Sequence, residues 1–129
     1  MIGAQRVDFI VVPTKDLEKA TEFYGKVLGL EKNPNSLDDW VEFETGNVTL
    51  AVVDAKGHGF EFAPLPPGSI ALRVPDVEMA REKLREAGVE FRGETWDSGV
   101  CNGASFKDPD GNGLVIHRRY APYSNGSTP

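Results

Sequence analysis

The chain repeats itself. Residues Phe9 to Ala20 and Ser69 to Ala80 align without a gap at a shift of sixty positions, and each copy is a short apolar run followed by Asp, then Leu or Val, then Glu, one variable residue and Ala. Self-similarity at a fixed period signals one supersecondary unit used twice. Neither copy carries enough apolar surface to be stable by itself, so the expectation is two half-length modules sharing a core.

Each copy predicts a strand that runs into a helix. Asp16 and Asp76 are N-caps, because an aspartate carboxylate accepts from the free N–H groups of a first helical turn, and Glu18 and Glu78 suit the positive end of the same turn. The first helix carries Leu17, Ala20, Phe23, Tyr24, Val27 and Leu28 as one apolar stripe and stops at Gly29. The second carries Val77, Ala80, Leu84 and Ala87 and stops at Gly88. Strand patterns follow at Trp40–Glu44 and Val48–Val53 in the first half, and at Gly103–Lys107 and Gly113–His117 in the second, each pair joined by a Gly- and Asn-containing turn. The plan is β-α-β-β-β, twice, an α+β fold in a single domain over residues 1–129. Its modules are 7–56 and 67–120. The Pro- and Gly-punctuated stretch Asp54 to Gly68 links them, with Phe60 to Phe62 as a possible last short strand of the first half, and residues 121–129 form a frayed tail.

Charge and cysteine usage narrow the function classes. Fourteen Lys and Arg against twenty Asp and Glu leave a formal net charge of −6, so the average surface repels phosphate backbones and anionic lipid. Arg118, Arg119 and Tyr120 are too short a basic run for a nucleic-acid footprint. The single Cys101 can form neither an internal disulfide nor a multi-thiolate metal site, which makes the reducing cytoplasm the expected location. No apolar run reaches the length that spans a bilayer, and the N-terminus lacks the apolar core of a secretory signal. The expected partners therefore include no nucleic acid and no membrane.

Asp16-Leu17-Glu18-x-Ala20, Phe23-Tyr24-Gly25-x-Val27-Leu28-Gly29-Leu30, Val74-x-Asp76-Val77-Glu78 and Phe106-x-Asp108-Pro109-Asp110-Gly111-Asn112 together span most of the chain. In these residues it resembles the vicinal oxygen chelate superfamily, which includes glyoxalase I, extradiol dioxygenases and bleomycin-resistance proteins. The resemblance implies that the two modules form a U-shaped mixed sheet around a concave, ligand-holding cleft, and that the protein is a homodimer. In metal-using relatives a His or Glu stands at matching inward positions. Those positions fall here on Phe9, Ser69 and Val115, with a fourth near Thr49 or Ala51, and none of these side chains is a donor that a borderline divalent ion needs. The expected metal set is therefore none, and no cofactor is implied.

Strand alternation places Phe9, Trp40, Glu42, Val53, Arg73, Val115 and His117 on the ligand side, opposite the regularly apolar helix-facing set. Apolar walls come from Phe9, Trp40, Val53 and Val115; the two aromatics either stack on a planar ligand or fill the floor. His117 and Glu42 are either an acid/base or metal-holding pair or a hydrogen-bonded rim contact. Arg73 either fixes a ligand carboxylate or phenolate, or pairs internally with Glu42 or Glu44. Cys101 reads as a small hydrophobe, His58 as an exposed loop residue able to act as a lid, and the Asp108–Asn112 run as a hairpin turn lacking the late bidentate Glu of a calcium loop. The expected function is metal-independent binding of a small organic ligand, as in bleomycin-resistance-type sequestration. The alternative is a glyoxalase-like lyase or isomerase, or a dioxygenase, using a divalent metal, or a cofactor-free acid/base enzyme.

Overall fold

The computed structural model describes residues 1–129. They form two compact units, Met1–Pro64 and Leu65–Pro129. The first contains β1 (Phe9–Thr14), α1 (Leu17–Glu22), a π-helical turn (Phe23–Val27), β2 (Glu31–Lys32), β3 (Trp40–Glu44) and β4 (Thr49–Asp54). The second contains β5 (Ile70–Arg73), α2 (Val77–Glu86), β6 (Phe91–Asp97), β7 (Cys101–Lys107) and β8 (Gly113–Arg119). Each unit has one four-stranded sheet, ordered β1-β4-β3-β2 and β5-β8-β7-β6. In each the first strand runs parallel to the last and the other pairs are antiparallel. The architecture is α+β, β-α-β-β-β in duplicate.

The helix starts follow from their caps. Asp16 Oδ1 accepts from Lys19 N at 3.1 Å and Asp76 Oδ1 from Met79 N at 3.0 Å, each satisfying a first-turn donor that has no intrahelical partner. At the end of α2, Val89 N donates to Leu84 O and Gly88 N to Arg85 O, a Schellman closure that Gly88 permits with φ +93°. The first helix does not continue as an α-helix to Gly29. After Glu22 it widens, with Leu28 N donating to Phe23 O five residues back at 2.9 Å. Consecutive Phe23 and Tyr24 are both buried there, an outcome that the 100° step of a regular α-helix disfavours and a wider turn allows.

Each sheet packs one face on its helical segment. In the first unit that face carries Val41, Phe43, Leu50 and Val52, all buried, with Phe43 6.0 Å from the Tyr24 ring. Gly25 lies against the same ring, where a Cβ would make ordinary van der Waals contact with Phe43 at 3.4 Å. In the second unit Ala104, Phe106, Leu114 and Ile116 form the buried face, with Phe91 5.3 Å from Phe106. Phe60 to Phe62 form no strand; the fourth strand of the first sheet is the two-residue β2, and Phe62 instead lies beneath the Lys15 ammonium at 4.8 Å. Residues beyond Arg119 close a turn, in which Arg119 donates to Pro122 O at 2.8 Å and stands over the Tyr123 ring. No helix is long and apolar enough to cross a membrane.

Candidate functional site

The sheet face away from the helix is where polar and aromatic side chains collect in both units. In the first, register places Trp40 opposite Val53 and Pro13, Glu42 opposite Ala51 and Val11, and Glu44 opposite Thr49 and Phe9. The Phe9 and Trp40 rings meet edge to face at 5.4 Å, and His58 continues the row 5.5 Å from Trp40. Such contacts add to the burial of the rings and fix their tilt. Trp40 Nε1 donates to Glu42 Oε2 at 2.9 Å, Asn33 Nδ2 donates to Glu44 Oε1 at 3.2 Å, and Thr49 Oγ1 donates to Glu44 Oε2 at 2.8 Å. Glu42 and Glu44 are therefore oriented by neutral donors, and this face carries carboxylates with no cation among their partners. His58 is no free lid: its Nε2 lies 3.1 Å from Asp39 Oδ2.

In the second unit the corresponding row runs across all four strands. Arg73 is the register partner of His117, His117 of Gly103, and Gly103 of Trp96. The Trp96 indole leans back over β7 so closely that a Cβ on Gly103 would sit 2.5 Å from its Cζ2. Glycine at 103 is thus a steric requirement of the indole. The Trp96 and His117 rings are 5.7 Å apart. His117 is half-buried and its imidazole makes no hydrogen bond or ion pair within the second unit, while Glu42 of the first unit is held by Trp40. Arg73 is exposed and has no carboxylate partner in its own unit.

Val53 and Val115 are covered, with 1% and 8% of their surface exposed, whereas Phe9 keeps 48%. Trp96 escapes sequence reading because its strand shows no alternation. Between Arg92 and Trp96 the pairing with β7 slips, and Gly93 there has φ +71°. The available signal was Gly103, since an isolated glycine inside a strand marks close approach by another group.

The end of β6 is pinned next to that indole. Asp97 accepts from Tyr120 Oη at 2.7 Å and from Gly99 N at 2.8 Å. The tyrosine hydrogen bond, then the backbone one, lowers the Asp97 pKa, and the same contact raises that of Tyr120. A lowered carboxylate contributes fully above the ordinary aspartate range and loses its contribution as pH falls through the lowered value; the raised phenol loses its own as pH climbs through the raised value. Tyr120→Phe is expected to return the Asp97 titration upward toward its ordinary value, as followed by carboxyl-carbon NMR. An unchanged Asp97 titration would assign the lowering to Gly99 alone.

No group of three or more His, Cys, Asp or Glu side chains is placed to hold a metal ion. At the positions to which the resemblance would carry the metal ligands of metal-using relatives, Phe9 and Val115 offer hydrocarbon, and the Ser69 hydroxyl is donated to Pro66 O at 2.5 Å. Thr49 gives its hydroxyl to Glu44, and Ala51 offers a methyl. The donor chemistry does not fit a divalent ion.

A family model described as the glyoxalase/bleomycin resistance protein/dioxygenase superfamily matches residues 6–116. The chain belongs to this superfamily. A superfamily member from Sphaerobacter thermophilus is similar to it in structure, with TM-score 0.74 and 25% identity over 88% of this chain and 97% of that one. TnmS3, an antibiotic binding protein from a Streptomyces species, has TM-score 0.72 and 25% identity over 92% of this chain and 99% of that one. A lactoylglutathione lyase from Agrobacterium tumefaciens has TM-score 0.72 and 19% identity over 89% and 94% of the two chains, a likeness of fold alone. No curated protein matches the chain. Superfamily membership spans binding and catalysis and does not by itself decide between them.

Proposed function

We propose that the chain is a small-molecule-binding protein that takes a planar organic ligand without a metal ion. One observation carries this reading: each module sets an indole beside an imidazole on the sheet face away from its helix, Trp40 with His58 and Trp96 with His117, and these are all the Trp and His residues of the sequence. Flat polarisable rings on a sheet face bury a flat ligand at little cost in side-chain freedom. Similarity to an antibiotic binding protein supports the same reading, as do the hydrocarbon of Phe9, Ala51 and Val115 and the engaged hydroxyls of Ser69 and Thr49, none of them a donor that a divalent ion needs.

The test is a fluorescence titration of chelator-treated protein with a panel of planar aromatic compounds. Saturable quenching is expected, with affinity unchanged by added divalent ions and reduced about tenfold or more by Trp40→Ala or Trp96→Ala, since removing a stacking ring forfeits on the order of 1–1.5 kcal/mol plus its buried area. Binding or turnover that appears only on adding a divalent ion overturns the reading.

A further inference from the structure

The two faces share a plan and differ in charge. Matching the register of β1, β4 and β3 to that of β5, β8 and β7 sets Pro13 against Arg73, Val53 against His117, Glu42 against Ser105 and Glu44 against Lys107. The first module shows that this scaffold needs no cation at the Arg73 position. In the second module the row next to Arg73 and His117 holds Ala71, Val115 and Ser105, none of them acidic. Glu94, two residues before Trp96, instead lines the groove beside α2. An exposed guanidinium with no carboxylate partner thus stands one strand from an imidazole with no hydrogen bond, and the Trp96 indole overhangs the glycine on the far side of that imidazole.

We infer that this row of the second module recognises an aromatic carboxylate, with the ring on Trp96 and His117 and the carboxylate on Arg73. This rests on the proposed metal-free binding of planar ligands and names their chemical class. Adjacent strands are about 4.8 Å apart, so a ring seated over β7 and β8 brings a carboxylate attached to it within reach of a side chain on β5. A guanidinium meets a carboxylate with two parallel N–H donors, and no internal acid has to be displaced first.

The probes are 2-naphthoate and its neutral amide, 2-naphthamide, titrated by tryptophan fluorescence and calorimetry. A charge-assisted pair contributes about 1.5–3 kcal/mol, so the acid is expected to bind roughly tenfold to a hundredfold more tightly than the amide. Arg73→Gln should remove that preference by weakening only the acid, and Arg73→Lys should restore part of it. Arg73 is exposed and unpartnered, so both variants should keep the wild-type circular dichroism and melting point. Equal binding of acid and amide by the wild type, or a preference that survives Arg73→Gln, overturns this inference and leaves the binding reading standing. Failure of both probes to bind, with no other planar compound of the panel binding either, overturns both.

Discussion

Asn112→Ala is expected to lower folding stability by about 2–5 kcal/mol, because it strips a partner from the buried Asp108 carboxylate and another from the part-buried Leu65 N–H. Asn112 is fully buried, and its side chain works in both directions. Its Nδ2 donates to Asp108 Oδ2 at 2.8 Å, and its Oδ1 accepts from Leu65 N at 2.8 Å, tying the start of the second unit to the hairpin between β7 and β8. Asp108, 6% exposed, organises that hairpin by accepting through Oδ1 from Asp110 N and Asn112 N. Next to it Gly113 N donates to Leu65 O, and a Cβ on Gly113 would run into the Pro66 carbonyl and Pro67. The turn that resembled a calcium loop is therefore a clamp on the preceding segment. Urea unfolding should show a lower midpoint with the same slope. Asn112→Asp keeps the acceptor for Leu65 but sets a second carboxylate against Asp108. It should be at least as damaging at neutral pH and recover partly as pH falls and the two acids share a proton.

Phe43→Ala is expected to cost about 3–5 kcal/mol, the range for removing a buried aromatic ring and leaving a cavity. Phe43 has no exposed surface, faces Tyr24, and packs beside Gly25 of the π-helical turn. For a chain of this size the loss corresponds to a melting point lower by roughly 10–20 °C. Phe43→Leu, which restores most of the volume, should recover more than half of it. If Phe43→Ala melts within a few degrees of wild type, the packing of helix on sheet in the first unit is looser than the Tyr24–Phe43 contact implies.

The fold was legible because its signals are local and doubled. Asp16 and Asp76 mark two helix starts within one residue, and alternation separates buried Val41 and Phe43 from half-buried Trp40 and Glu42 on β3. What escaped depends on contacts distant in sequence. The two residues of β2 are strand only because Glu31 and Lys32 find Glu44 and Phe43. Phe60 to Phe62 alternate like a strand but pair with no neighbouring strand. The π turn answers to the packing of Phe23 and Tyr24, which a helical wheel cannot weigh. The same division holds for the candidate site. Alternation assigned Phe9, Trp40, Glu42, Arg73 and His117 alike to the side away from the helices, whereas the pairing of rings across strands, above all Trp96 over Gly103, needed the register.

That last feature changes how the two halves of the molecule should be compared. Set side by side by register, Trp40 faces Gly103, and the pair scores as an aromatic lost from one copy. Set side by side in space, nothing is missing, because the neighbouring strand delivers Trp96 to the volume that a side chain at 103 would occupy. The ring's address belongs to the sheet and not to a place in the chain. Kinship between duplicated halves can therefore persist as filled volumes after it has faded as matched letters.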